Sequence, residues 1–224
     1  SALGQGGFDV QFAEEKMSRR KNRKHLVCLS KKQADRAVYI DFEGFKDKSP
    51  SFVGVLDETG FKQIVLALEL QPAARAKGCS AQSINYWARR LINRCLHENR
   101  LIVGFSMHDL NCLKNYTSVG DQAEPIYVNA LQAAKKWHWR EYKIGLDGSR
   151  TLEAYCAIAK VPQRPDDYCD IPVTLNLKAI MSGLNARGTY RKLTRLQKQK
   201  WAALLEYNRW DCRDLRALCD IVAK

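Results

Sequence analysis

The eight cysteines, at 28, 79, 95, 112, 156, 169, 212 and 219, form no Cys-x-x-Cys pair. Histidine is scarce, with four in the chain and none at finger spacing from a cysteine pair, which argues against a zinc module. No apolar run approaches the ~20 residues that span a bilayer. Residues 1–7 are small and are followed by no apolar h-region, so they read as a linker or cloning remnant and not as a signal peptide. Internal repeats and low-complexity segments are also lacking. Cys95, Cys112, Cys212 and Cys219 fall in apolar-periodic stretches and read as reduced core residues, which fits a cytoplasmic protein.

What is present is a chain of 224 residues with 46% hydrophobic content, enough for one self-sufficient core. Its net charge of +13 is concentrated. Residues 16–36 carry nine Lys or Arg against one Asp, and residues 187–200 carry six with no acid. Such patches attract polyanions, nucleic acid above all, although a charge run by itself also reads as a solvated face.

Residues 1–25 are polar and charged and read as a basic arm, with one domain over 26–224. Residues 37–43 (AVYIDFE) predict a first strand, and 51–56 and 61–68 two more across the turn-forming DETG at 57–60. Apolar spacing predicts a helix over 80–99, capped by Ser80 or Ser83. Residues 101–105 (LIVGF) read as a central parallel strand, followed by a short helix over 107–115. A fifth strand at 125–129 leads into a helix through 142, and helices follow at 151–160, 174–184 and 195–222. The expectation is therefore an α/β protein with a mixed five-stranded sheet, three antiparallel strands then two parallel, flanked by helices.

Asp41 and Glu43 stand two apart in the first strand, so both side chains project from one face while Val38, Ile40 and Phe42 project from the other. Strands disfavour Asp, and adjacent carboxylates repel, so a bound Mg²⁺ or Mn²⁺ would offset the cost; a solvated strand end is the alternative. On the last helix Tyr207 and Asp211 are four apart and share a face, with Asp214 nearby. A core tyrosine with Asp211 paired to Arg209 or Arg213 is the plainer alternative.

Three blocks carry a resemblance: VYIDFEG at 38–44, LIVGFSMHDL at 101–110 and YNRWD at 207–211. Together they resemble the DEDDy group of 3′–5′ exonucleases, which includes polymerase proofreading domains and ribonuclease D in the ribonuclease H-like superfamily. The last block also looks like predicted ribonuclease H-like domains of bacterial nucleases. The resemblance implies a ribonuclease H-like fold and hydrolysis of single-stranded DNA or RNA ends with two metal ions. Asp41, Glu43 and Asp211 would hold one ion and Asp41 with Asp109 the second, while Tyr207 would orient the attacking water.

The middle block departs from the family, because Ser106 stands where an Asn is usual and the step to Asp109 is short. The run 106–109 also reads as a helix-capping motif, so Asp109 is open between ligand and cap. His108 sits in the wrong block for the histidine-bearing subgroup. Asp214 could replace Asp211. Lys192, Arg195 and Lys198 are candidate phosphate contacts, with Tyr190 as a stacking partner. An inactive nucleic-acid-binding module, an endonuclease or other phosphoryl-transfer enzyme, and an interaction scaffold all remain alternatives, and nothing local separates DNA from RNA.

Overall fold

The longer strands of the sheet, and the helices packed on it, are placed by where their apolar residues fall. In the computed structural model residues 29–144, 148 and 150–223 are described. The arm expected over 1–25 lies outside them. Ser30 caps α1 (Lys31–Arg36), a reciprocal capping box with Gln33 that the sequence reading missed. β1 (Val38–Glu43) pairs antiparallel with β2 (Phe52–Asp57), and β2 with β3 (Gly60–Val65).

The chain then crosses through α2 (Gln71–Ala76) to β4 (Ser80–Ala81) and α3 (Ile84–His97). β5 (Ile102–Gly104), α4 (Met107–Tyr116), β6 (Tyr127–Asn129) and α5 (Ala130–Tyr142) follow. The remainder is α6 (Leu152–Ile158), α7 (Val173–Arg187) and the 28-residue α8 (Arg195–Val222).

The sheet is mixed and six-stranded, in the order β4-β3-β2-β1-β5-β6. β5 lies parallel to β1 and β6 parallel to β5. Three antiparallel and two parallel strands are as the sequence predicts. The expectation of five strands is corrected by β4, which pairs parallel with Ile64 and Val65 at the outer edge. Ser80 lies in that strand, and Ser83 caps the following helix by accepting from the Tyr86 N–H. A two-residue strand is too short to leave a periodic signature, which is why residue 80 read as a helix start. β3 ends at Val65, three residues before the predicted 68, where Leu68–Leu70 form a 3-10 turn.

β1 alternates as expected. Val38, Ile40 and Phe42 are buried under α3 and α4, among Trp87, Leu91, Leu110 and Leu113. Tyr39, Asp41 and Glu43 face the other side, where Tyr39 packs with Val103, Val128 and residues of α5, α6 and α8. The first half of α8 belongs to a third cluster, in which Trp201 and Leu204 meet Phe52, Ala73 and Leu177. Trp201 is fully buried, and its indole N–H donates to the carbonyl of Ala73 (3.3 Å). α8 thereby crosses the sheet on the face that carries the first-strand acids. Cys95, Cys112, Cys212 and Cys219 are buried free thiols. Among the described residues no helix is long and apolar enough to cross a membrane.

Candidate metal centre

Asp41 and Glu43 leave β1 toward α8, and Asp211 descends from α8 to meet them. One carboxylate oxygen from each lies within 4.8 Å of the other two. The approach depends on Gly54, the residue of β2 directly across from Asp41. A Cβ there would stand 2.5 Å from Asn208 Oδ1 and 2.8 Å from Cys212 Sγ, so the helix sits this close only because β2 has no side chain at that point.

Asp41 is held from two directions. The Asn208 amide donates to the Asp41 carboxylate (2.6 Å) and to its main-chain carbonyl (3.0 Å). Asn208 is fully buried and is itself oriented by Gln63 of β3, whose amide donates to Asn208 Oδ1 (3.1 Å) and to the Leu205 carbonyl (2.9 Å). The sequence reading missed Asn208. Its signal is an Asn in the interior of a helix, three residues before Asp211 and hence on its face.

Arg164 was also missed. It lies between α6 and α7, just before Pro165, which favours an extended backbone at that position. Its guanidinium is 4% exposed and spans two acids, donating to Asp211 (2.7 Å) and twice to Asp214 (2.7 and 2.9 Å). It also lies over the Tyr207 ring at 5.4 Å. One of its nitrogens, Nη1, is buried with no hydrogen-bond partner among the described residues. No local motif marks a single Arg in a loop, so only the fold reveals it. Asp211 is therefore not paired with Arg209 or Arg213: Arg209 pairs with Glu206 (2.9 Å) and Arg213 stacks on Trp210.

The electrostatics follow from crowding acids in a dry place. Burial, then Asp211, Glu43 and Asp109, push Asp41 well above the usual carboxylate range. Glu43 is raised to about 8 by burial and by Asp211 and Asp109. Asp211 is raised to about 7 by burial, against the lowering pull of Arg164. Protons or a cation must neutralise this cluster. An all-carboxylate donor set on two rigid elements fits a hard divalent ion such as Mg²⁺ or Mn²⁺. Tyr207, one turn before Asp211, is half-buried, and burial together with Asp211 and Glu43 pushes its phenol upward, so it stays protonated.

Asp109 is close to the trio but outside the group of three. It is buried, and its carboxylate accepts the Phe42 N–H (3.2 Å), tying the start of α4 to β1 between the two strand acids. Burial raises it to about 6, while that N–H and the neighbouring His108 pull it down. Ser106 caps α4 by accepting the His108 N–H (3.1 Å). A Cβ on Gly104 would meet Asp109 Oδ2 (2.6 Å) and the Tyr127 hydroxyl, so the strand end is shaped around this acid.

Beside Glu43 lies a cavity of about 310 Å³, lined also by Phe45, Lys46, Lys48, His108 and Tyr116. Tyr190, Lys192, Arg195 and Lys198 are elsewhere, at the beginning of α8 and the 3-10 turn before it. Arg195 is sixteen residues ahead of Asp211, about 24 Å along the helix axis. Lys198 donates to the Arg191 carbonyl (2.8 Å) and lies over the Tyr190 ring (5.9 Å).

The chain matches no protein-family model, no curated protein and no solved structure.

Proposed function

We propose that this protein is a metal-dependent nuclease with a ribonuclease H-like core, hydrolysing phosphodiester bonds of single-stranded DNA or RNA, with 3′–5′ polarity carried over from the resemblance. The observation that carries the reading is the meeting of Asp41, Glu43 and Asp211 within 4.8 Å, from one strand and a helix far along the chain. The sheet supports it: β1 lies between an antiparallel β2–β3 pair and the parallel pair β5–β6, the arrangement the resemblance implies.

Asp41, Glu43 and Asp211 would hold a divalent cation, and Asp109 with Asp41 a second. Bound there, Mg²⁺ or Mn²⁺ supplies charge stabilisation for the attacking and leaving oxygens of the phosphodiester. The chain's own residues do the rest. Asn208 fixes the orientation of Asp41, and Arg164 fixes one oxygen of Asp211, leaving the other for the cluster. Tyr207 keeps its proton, so it orients water as a hydrogen-bond donor and does not act as a base. Lys46 and Lys48 beside Glu43 give the adjoining cavity the charge to receive a nucleotide phosphate.

One observation favours a second reading, a nucleic-acid-binding module without catalysis. Arg164 already supplies a cation to Asp211 at 2.7 Å. End-labelled single-stranded DNA and RNA, incubated with Mg²⁺ or Mn²⁺, separate the two. The nuclease shortens them stepwise from the 3′ end and loses activity with EDTA, Asp41→Ala or Asp211→Ala. Retained binding without cleavage under all metal conditions establishes the second reading instead.

A further inference from the structure

A groove of about 930 Å³ lies on the opposite side of β3 from β2, between α3 and α8. Its floor is the open part of the β3 edge, because β4 covers only Ile64 and Val65. Lys62, Lys77, Arg90, Arg94 and Arg209 line it, against the two acids Asp57 and Glu206. Both acids are spoken for, Asp57 by Arg94 and Glu206 by Arg209, each at 2.9 Å. Lys62, Lys77 and Arg90 are exposed and make no ion pair among the described residues. Three positive charges from the floor, the end and one wall thus remain for an anion that runs along the groove.

The geometry points to this groove as a binding site for the phosphodiester backbone of a single strand, separate from the cavity beside Glu43. The inference rests on the nucleic-acid reading above and extends it to a second contact region. Two features favour a nucleic acid over an acidic peptide. Cations spread along a groove match evenly spaced phosphates. Arg209 lies over the Phe61 ring at 5.3 Å, a flat guanidinium–phenyl surface of the kind on which bases stack. The groove also reaches the candidate centre by one side chain, since Gln63 on its floor holds Asn208, which holds Asp41.

The test is fluorescence anisotropy of the whole protein in EDTA with labelled 6-mer and 20-mer single strands across a salt series. The variants are Lys62→Glu with Arg90→Glu, and the milder Lys62→Gln with Arg90→Gln as a guard against misfolding. Wild type should bind the 20-mer about tenfold or more tightly than the 6-mer. In the charge-reversed variant the two affinities should converge, and the neutral variant should lower the salt slope for the 20-mer by about 1.4, at ~0.7 for each phosphate no longer neutralised. An unchanged 20-mer affinity and slope in both variants overturns the groove while leaving the nuclease reading intact. Wild type that binds neither strand overturns the nucleic-acid reading on which the groove depends. Displacement of the 20-mer by polyglutamate more readily than by unlabelled strand assigns the groove to acidic peptides and overturns it as well.

Discussion

Asn208 grips Asp41 twice, through the carboxylate at 2.6 Å and the main-chain carbonyl at 3.0 Å, although 167 residues separate them in the chain. The contact locks the last long helix to the first strand at the point where the acids converge. Replacing Asn208 with Ala leaves Asp41 and Gln63 without their buried partner. We expect a loss of about 1–3 kcal/mol in stability and a 10- to 100-fold loss in cation affinity. Urea unfolding and calorimetric titration with Mn²⁺ measure the two. A variant with wild-type Mn²⁺ affinity would detach Asn208 from the candidate centre.

Arg164 is a buried cation whose removal strands two acids. Arg164→Met should destabilise the metal-free protein by about 3–5 kcal/mol, the scale for breaking a buried pair from one side. Arg164→Lys should recover part of that, because an ammonium carries the charge but cannot fork between Asp211 and Asp214 as the guanidinium does. A neutral effect of Arg164→Met in denaturant titration would show that the cluster carries no net negative charge for Arg164 to balance.

The raised carboxylates give stability a definite pH slope. Glu43 ordinarily titrates at 4.5 but holds its proton to about 8 in the fold. Between those values the folded chain binds a proton that the unfolded chain has released. Its contribution is complete below 4.5 and is lost as pH rises toward 8. Glu43→Gln removes the titration. In EDTA, the thermal midpoint of the variant should therefore gain on wild type steadily from pH 5 to pH 8. Mg²⁺ should reverse the order at pH 8, since cation binding needs the ionised form and only wild type supplies it. A constant difference across this range in EDTA would mean that Glu43 is ionised throughout.

Gly54 offers a test of the packing itself. A methyl group there must move Asn208 or Cys212, each under 3 Å from where its Cβ would stand. Gly54→Ala should cost about 1–3 kcal/mol and should weaken Mn²⁺ binding together with it. Combined with Asn208→Ala the losses should fall short of additive, because both changes act through one contact. Full additivity in a double-mutant cycle would place the strain elsewhere.

Much of this was legible in the residues before any coordinates. Alternation in 38–43 put Asp41 and Glu43 on one face, and the four-residue step from Tyr207 to Asp211 put those on another, since both follow from the repeat of strand and helix. Whether the two faces meet is a tertiary fact that periodicity does not carry. β4 escaped because two residues make no pattern, and Arg164 because a loop residue gains its meaning only from what the fold brings beside it. The basic run over 187–200 shows the reverse, a closeness in sequence that is not a closeness in space. Its position in sequence just before Asp211 looks like proximity, but a helix rising about 1.5 Å per residue carries its start well away from the acids. The groove along β3 gathers Lys62, Lys77, Arg90 and Arg209 from four separate segments and leaves no run to read.

α8 is the last helix among the described residues, and it brings in both Asn208 and Asp211. During synthesis β1 leaves the ribosome with Asp41 and Glu43 long before their third acid exists. A growing chain therefore lacks the three-carboxylate cluster until α8 has been made, and a messenger cut short of α8 would yield a product unable to assemble it. Whatever the centre does, it is withheld from fragments that stop before that helix.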